Sequence, residues 1–264
     1  MHRPMRLLLP LLLLACEPPV AVPPLPAPVA TPAMGVRLAG EGAFTPLVVR
    51  LTREFSDRNP GEALVVEAAV GGRGAQRALA DGVLDAAIVA RSVGQPLAAG
   101  GVRVAGTEVV LAAGRGTGLR GRLSPERLAG LLSAEVPGKL RFFLRGPEDA
   151  LEQALVASAP LLGPSFEGAL QTQRWPVLTD ESALRETLRG VPGAVVLADT
   201  GFLALHGLPV WTVPVVEPPP RVELVVVARA DAPPRLTQFL AWVAGPEGQA
   251  LVQELGYRPI TGAR

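Results

Sequence analysis

Residues 36–92 alternate short apolar runs with glycine-rich turns, and each turn opens a helical pattern. Residues 36–39 read as a strand, followed by the turn Gly40-Glu41-Gly42. Phe44, Leu47, Val48, Leu51 and Phe55 then recur at helical spacing until Asn59-Pro60-Gly61 stops the helix. Residues 64–70 read as a second strand, Gly71-Gly72-Arg73-Gly74 as a second turn, 75–79 as a short helix ended near Gly82, and 84–89 as a third strand closed by Ala90-Arg91-Ser92. Strands joined by helical crossovers restrict a chain to an α/β fold with largely parallel sheets. The same order aims two helix N-termini, with their free N–H groups and positive dipole ends, at one place. That is the layout of an anion site, to which Arg91 adds a fixed charge.

The pattern continues to the C-terminal end. Residues 108–113 read as a strand and 114–122 as a loop. Ser124-Pro125 is a serine N-cap with proline at the first helical position, starting a helix that runs to about residue 133. Residues 140–144 predict a strand with a helix from about Pro147, residues 180–189 a helix closed by Gly190, and 194–198 a buried strand. Residues 222–228 are a continuous apolar strand, 236–243 a helix, and Pro246 opens a last helix that Gly256 closes. Pro218-Pro219-Pro220 disfavours both helix and central strand and predicts a linker between lobes.

The first 15 residues have the layout of a secretory signal: Arg3 and Arg6, then residues 7–14, apolar except for Pro10 and too short to span a bilayer. They end in Leu13-Leu14-Ala15-Cys16, which resembles a bacterial lipobox. Signal layout, small Ala15 and the chain's single cysteine coincide there, so cleavage is expected before Cys16, with the thiol carrying a lipid. Residues 17–33 are rich in proline, alanine and valine and suit a semi-rigid spacer that stands a domain off a membrane. No disulfide is then available, and the fold must rest on its core, for which 48% hydrophobic residues suffice.

The chain has 25 basic and 24 acidic residues; loss of Arg3 and Arg6 leaves 23 against 24. A near-neutral domain argues against nucleic acid as the main partner. After the signal, His206 is the only histidine, and no Gly-x-Ser-x-Gly elbow accompanies it, which argues against a Ser-His-Asp hydrolase. Metal sites built from histidine or cysteine clusters lack ligands. Gly114-Arg115-Gly116-Thr117-Gly118 lacks the lysine ending of a phosphate loop. No cofactor is expected and no nucleophile–base pair stands out, so a hydrolase acting on a phosphorylated substrate is the weakest alternative.

Five stretches, in order, resemble the substrate-binding proteins of phosphate ABC transporters, the PstS-like group of type 2 periplasmic binding proteins. Residues 38–47, LAGEGAFTPL, are similar to that family's first Gly-Ser-Gly loop and helix. Residues 71–91 are similar to its second Gly-Ser-Gly, G-x-x-D and S-R elements, and residues 123–132 to its second-lobe helix. Pro192-Gly193-Ala194-Val195-Val196-Leu197 fits a P-G-A-I-G-Y strand, and residues 244–259 resemble an S-P-E-G-Q…G-Y-x-P helix. The resemblance implies two α/β lobes, 34–106 with 221–264 and 107–220, and a cleft between them.

It further implies a non-enzymatic, extracytoplasmic, lipid-anchored receptor, monomeric, that closes on a small oxyanion such as phosphate and delivers it to ABC permease subunits. The implied ligand-binding residues are Glu41, Gly42, Ala43, Gly72, Arg73, Gly74, Arg91, Ser92 and Arg145. Several depart from the family pattern. Glu41, Arg73 and Ala90 stand where it has hydroxyl residues, and Gly146-Pro147-Glu148 replaces the Ser-Gly-Thr after the arginine. Each lost charge-assisted hydrogen bond is worth about 1.5–3 kcal/mol. Arginines can compensate, since they grip oxyanions in bidentate fashion. The alternative is a surface lipoprotein of the same fold whose cleft Glu41 fills by pairing with Arg73 or Arg91, serving in interaction or sensing.

Overall fold

The computed structural model describes residues 35–133, 139–146, 148–178 and 180–260. The expected signal, Cys16, the tether and Pro147 lie outside these residues. The elements run β1 (Val36–Gly40), a 3-10 turn (Gly42–Phe44), α1 (Thr45–Arg58), β2 (Leu64–Val66), α2 (Gly71–Ala80), β3 (Ala86–Ser92) and β4 (Gly101–Ala113). There follow α3 (Pro125–Ser133), β5 (Arg141–Phe143), α4 (Ala150–Ser158), α5 (Leu162–Gln171), α6 (Glu181–Gly190), β6 (Ala194–Asp199) and α7 (Thr200–Leu205). The chain ends with β7 (Trp211–Val213), β8 (Arg221–Ala228), α8 (Pro234–Ala244) and α9 (Pro246–Glu254).

Eight strands among the described residues order as β2-β1-β3-β8-β4-β6-β5, with β7 paired to β4. β2, β1 and β3 are parallel, as the alternating pattern predicts, and so are β5 and β6. β8 returns antiparallel between β3 and β4, and β6 and β7 lie antiparallel to β4. β4 therefore belongs to two half-sheets. Gly101 to Glu108 pair with β8, and Val109 to Ala113 pair with β6. This is the frame of a two-lobed α/β fold.

Helix α1 shows why these residues fold this way. Its Leu47, Val48, Leu51 and Phe55 stripe is buried, and Phe55 meets Phe239 and Trp242 of α8 at ring separations of 5.5 and 5.7 Å. Burial of each such side chain supplies about 1.5–3 kcal/mol. Arg235 lies over the Phe55 ring at 4.5 Å, a cation–π contact that covers the stripe's end.

The structure differs from the sequence expectations in several respects. The second strand ends at Val66 rather than residue 70. The second helix begins at Gly71 rather than Ala75, so the glycines form its first turn. β4 begins at Gly101 rather than residue 108, because β8 pairs with its whole first half. Helix α5, the short helix α7 and strand β7 carry no strong sequence pattern and are held by tertiary contacts: Trp175 Nε1 just beyond α5 donates to the Leu132 carbonyl at 3.2 Å, and α7 is capped by Asp199.

Where β4 passes between the half-sheets, a buried polar knot forms. The Thr107 hydroxyl donates to Asp199 Oδ1 at 2.9 Å and accepts from the Gly201 N–H at 3.0 Å, and Asp199 Oδ1 also accepts from Phe202 N–H at 2.8 Å. Tyr257 packs its ring on Gly201 so closely that a Cβ there would lie 2.3 Å from two ring carbons. Gly201→Ala is expected to lower stability by about 1–3 kcal/mol through overpacking. Denaturant melts of the purified domain read this directly, and an unchanged midpoint would show that the ring moves freely.

Candidate functional site

A cavity of about 470 Å³ lies between the two half-sheets, walled by Glu41, Gly42 and residues 69–71 on one side and by Arg145, Gly146, Glu148, Asp149, Asp180 and Glu181 on the other. The first wall is made by the turn after β1 and the start of α2. The second is made by the turn after β5, the start of α4 and the start of α6.

Each of these helix starts is filled by a carboxylate of the chain itself. Glu41 Oε2 accepts the Gly72 N–H at 3.0 Å, capping α2, which has no side-chain cap from its own N-cap residue Val70. Asp149 caps α4, accepting from the Leu151 and Glu152 N–H groups. Asp180 caps α6, accepting from the Ala183 N–H at 2.8 Å. A carboxylate at a helix N-terminus satisfies orphan donors and meets the positive dipole end. At each start one or two of the donors that a bound anion would use are thus already engaged.

Arg145 is engaged as well. It is 7% exposed; its Nε donates to Asp149 at 2.8 Å and its Nη2 to Glu181 at 2.5 Å. Burial alone would pull its pKa down, but Asp149 and Glu181 raise it above the usual value. A tertiary pairing assembles the trio: Leu144 N–H donates to the Pro176 carbonyl and Leu178 N–H to the Leu144 carbonyl, which carries Glu181 to Arg145.

Glu41 is 8% exposed, and its pKa is raised to about 7. Loss of hydration is the main cause, followed by repulsion from Asp149; the Gly72 N–H, Arg145 and the Ala150 N–H pull the other way. The Ala150 N–H is the first of α4, so Glu41 senses helix starts on both sides of the cavity.

The other residues implied by the resemblance fall in different places. Gly42 lines the cavity, and a Cβ on Gly72 would stand 3.0 Å from Glu41 Oε2, so glycine lets the carboxylate sit on the helix end. Ala43 is buried in the core and Gly74 packs against Val70. Arg73 crosses the rim to Glu148 at 2.6 Å, both side chains being more than 60% exposed, so the pair is worth little. Arg91 and Ser92 line a separate pocket of about 240 Å³ beside α4, with the Arg91 Nε donating to Gln95 at 3.3 Å. Glu41 pairs with neither Arg73 nor Arg91; its partner is backbone. Sequence reasoning overlooked Glu181 as part of the site. Its one signal was position, next to the helix-starting Asp180.

The fold is that of a two-lobed α/β domain. Residues 25–213 match the PBP superfamily domain, and the chain belongs to that superfamily. No curated protein matches the sequence. Among solved structures, a candidate phosphate ABC transporter substrate-binding protein with bound phosphate from Clostridium perfringens is similar over 86% of this chain and 100% of its own, at 13% identity and TM-score 0.69. The periplasmic molybdate-binding protein of Azotobacter vinelandii is similar over 86% and 100%, at 13% identity and TM-score 0.61. The OxyR regulatory domain of Pseudomonas aeruginosa is similar over 80% and 97%, at 14% identity and TM-score 0.54. At such identities the likeness is one of fold. No helix among the described residues is long and apolar enough to cross a membrane.

Proposed function

We propose that this protein is a non-enzymatic, extracytoplasmic receptor, anchored through a lipid on Cys16, that binds a small oxyanion between its lobes and presents it to an ABC permease. The observation that carries this is the cavity itself: its walls are the N-terminal ends of α2, α4 and α6, with Arg145 at its base. Phosphate leads as the ligand class because the Clostridium perfringens structure is described with bound phosphate and shares the fold. The lobes would comprise 34–106 with 221–264, and 107–220. The change of partner along β4 after Glu108 supports that division, and hinge closure about it would enclose the solute.

The Gly72–Glu41 hydrogen bond favours a second reading, in which the cleft is closed on its own carboxylates and the domain serves in interaction or sensing. Calorimetric titration of the purified domain, residues 34–264, with inorganic phosphate at pH 5.5 and pH 8 separates the two. The receptor predicts saturable heat in at least one condition. Absence of heat and of any thermal shift at millimolar phosphate in both would discard the oxyanion assignment in favour of the self-occupied cleft.

A further inference from the structure

We infer that Glu41 is a tethered competitor anion: its carboxylate takes the α2 N-terminus that an incoming oxyanion would need, so the cleft admits one only when that side chain gives up its charge or its place. This rests on the oxyanion-receptor reading and deepens it, making Glu41 the residue that sets the conditions of binding.

Three observations carry it. The Glu41 carboxylate is held where a free anion would sit, on the Gly72 N–H at 3.0 Å, so close that a Cβ on Gly72 would meet its Oε2 at 3.0 Å. It belongs to the turn after β1 and is joined to the chain by a short side chain, so its effective concentration at the helix end is high. It is also surrounded mainly by like charge. Across the cavity α4 and the turn before it present Glu148 and Asp149, and α6 presents Asp180 and Glu181; the positive groups are Arg145, already shared by two carboxylates, and Arg73 at the rim, paired to Glu148. A second full anion entering beside an ionised Glu41 would face repulsion from several carboxylates at once. A neutral Glu41 holds the Gly72 N–H without charge assistance, so it yields that donor more readily to a full anion, and it gains an O–H that can donate to the ligand.

The experiment compares the wild-type domain with Glu41→Gln, using inorganic sulfate as the probe because its charge stays constant between pH 5.5 and 8, and inorganic phosphate in parallel. The wild type is expected to bind sulfate more weakly as pH rises, by up to about tenfold per unit above pH 7, while Glu41→Gln binds with little pH dependence. At pH 8 the variant should bind at least about tenfold more tightly than the wild type. Equal affinity and a flat pH profile in both proteins would overturn the competitor role while leaving the receptor intact. Binding by neither protein at any pH would overturn both. Binding by the variant alone would uphold the competitor role and show the wild-type cleft to be self-occupied. Glu41→Asp, which keeps the charge but shortens the reach, should weaken the competition; an affinity at pH 8 unchanged from wild type would count against tethering as the cause.

Discussion

Arg145→Ala should be among the most destabilising single changes in this protein, at about 3–5 kcal/mol. The guanidinium is buried and carries two carboxylates, Asp149 and Glu181, whose side chains are only 9% and 12% exposed. Removing one partner of a buried ion pair leaves an uncompensated charge in low dielectric, and that desolvation accounts for most of the loss. The damage spreads, because Asp149 is also the cap of α4. The prediction has an internal check. Asp149→Asn with Glu181→Gln, added to Arg145→Ala, removes the stranded charges while asparagine retains capping ability, so part of the stability should return. Urea melts with matched slopes give these differences. A loss under about 1 kcal/mol for Arg145→Ala would mean that the trio is open to solvent, and no recovery in the triple variant would locate the cost in packing instead.

The domain should also be more stable at pH 5.5 than at pH 8, opposite to the behaviour of a protein held by depressed carboxylates. Glu41, Glu152 and Asp199 are each buried and each has its pKa raised to about 7, in all three chiefly by desolvation. Their ordinary values lie near 4, so between roughly pH 4.5 and 7 the folded state binds protons that the unfolded state does not. Stability therefore rises as pH falls through 7 and is lost as pH climbs and the carboxyls must ionise in place. The gain from pH 8 to 5.5 is on the order of 1–2 kcal/mol per group, or several degrees in Tm for a domain of this size. His206 opposes this modestly: burial, with Arg185 and Arg189 nearby, lowers its pKa, so folding excludes a proton there. Scanning calorimetry from pH 5 to 9 tests the sign. A Tm that is flat or climbs toward pH 8 would sink it, and Asp199→Asn should flatten the slope if that residue contributes.

Much of the frame was legible in the chain. The glycine turn after β1, the apolar stripe of α1 and the proline-led α3 and α9 report local constraints: backbone freedom, 3.6-residue periodicity and capping. The site was less legible. Arg145 was singled out, but Glu181 lies 36 residues away and reaches it only because Leu144 pairs beside residues 176–178. Arg91, at the end of the third strand as expected, faces a different pocket from Glu41, because α4 stands beside it. Nor could the sequence say whether Glu41 met an arginine or a backbone N–H.

What the sequence by itself determined is the parallel β–α order of the first half, since it follows from interactions between near neighbours. Only the tertiary structure decided that the N-termini of α2, α4 and α6 meet at one cavity and are capped by Glu41, Asp149 and Asp180, and that the arginine expected to hold a ligand holds two carboxylates instead. The physical reason is that charge is settled by distance and hydration in three dimensions. Residues tens of positions apart exchange water for one another only when strands pair and the cleft is formed.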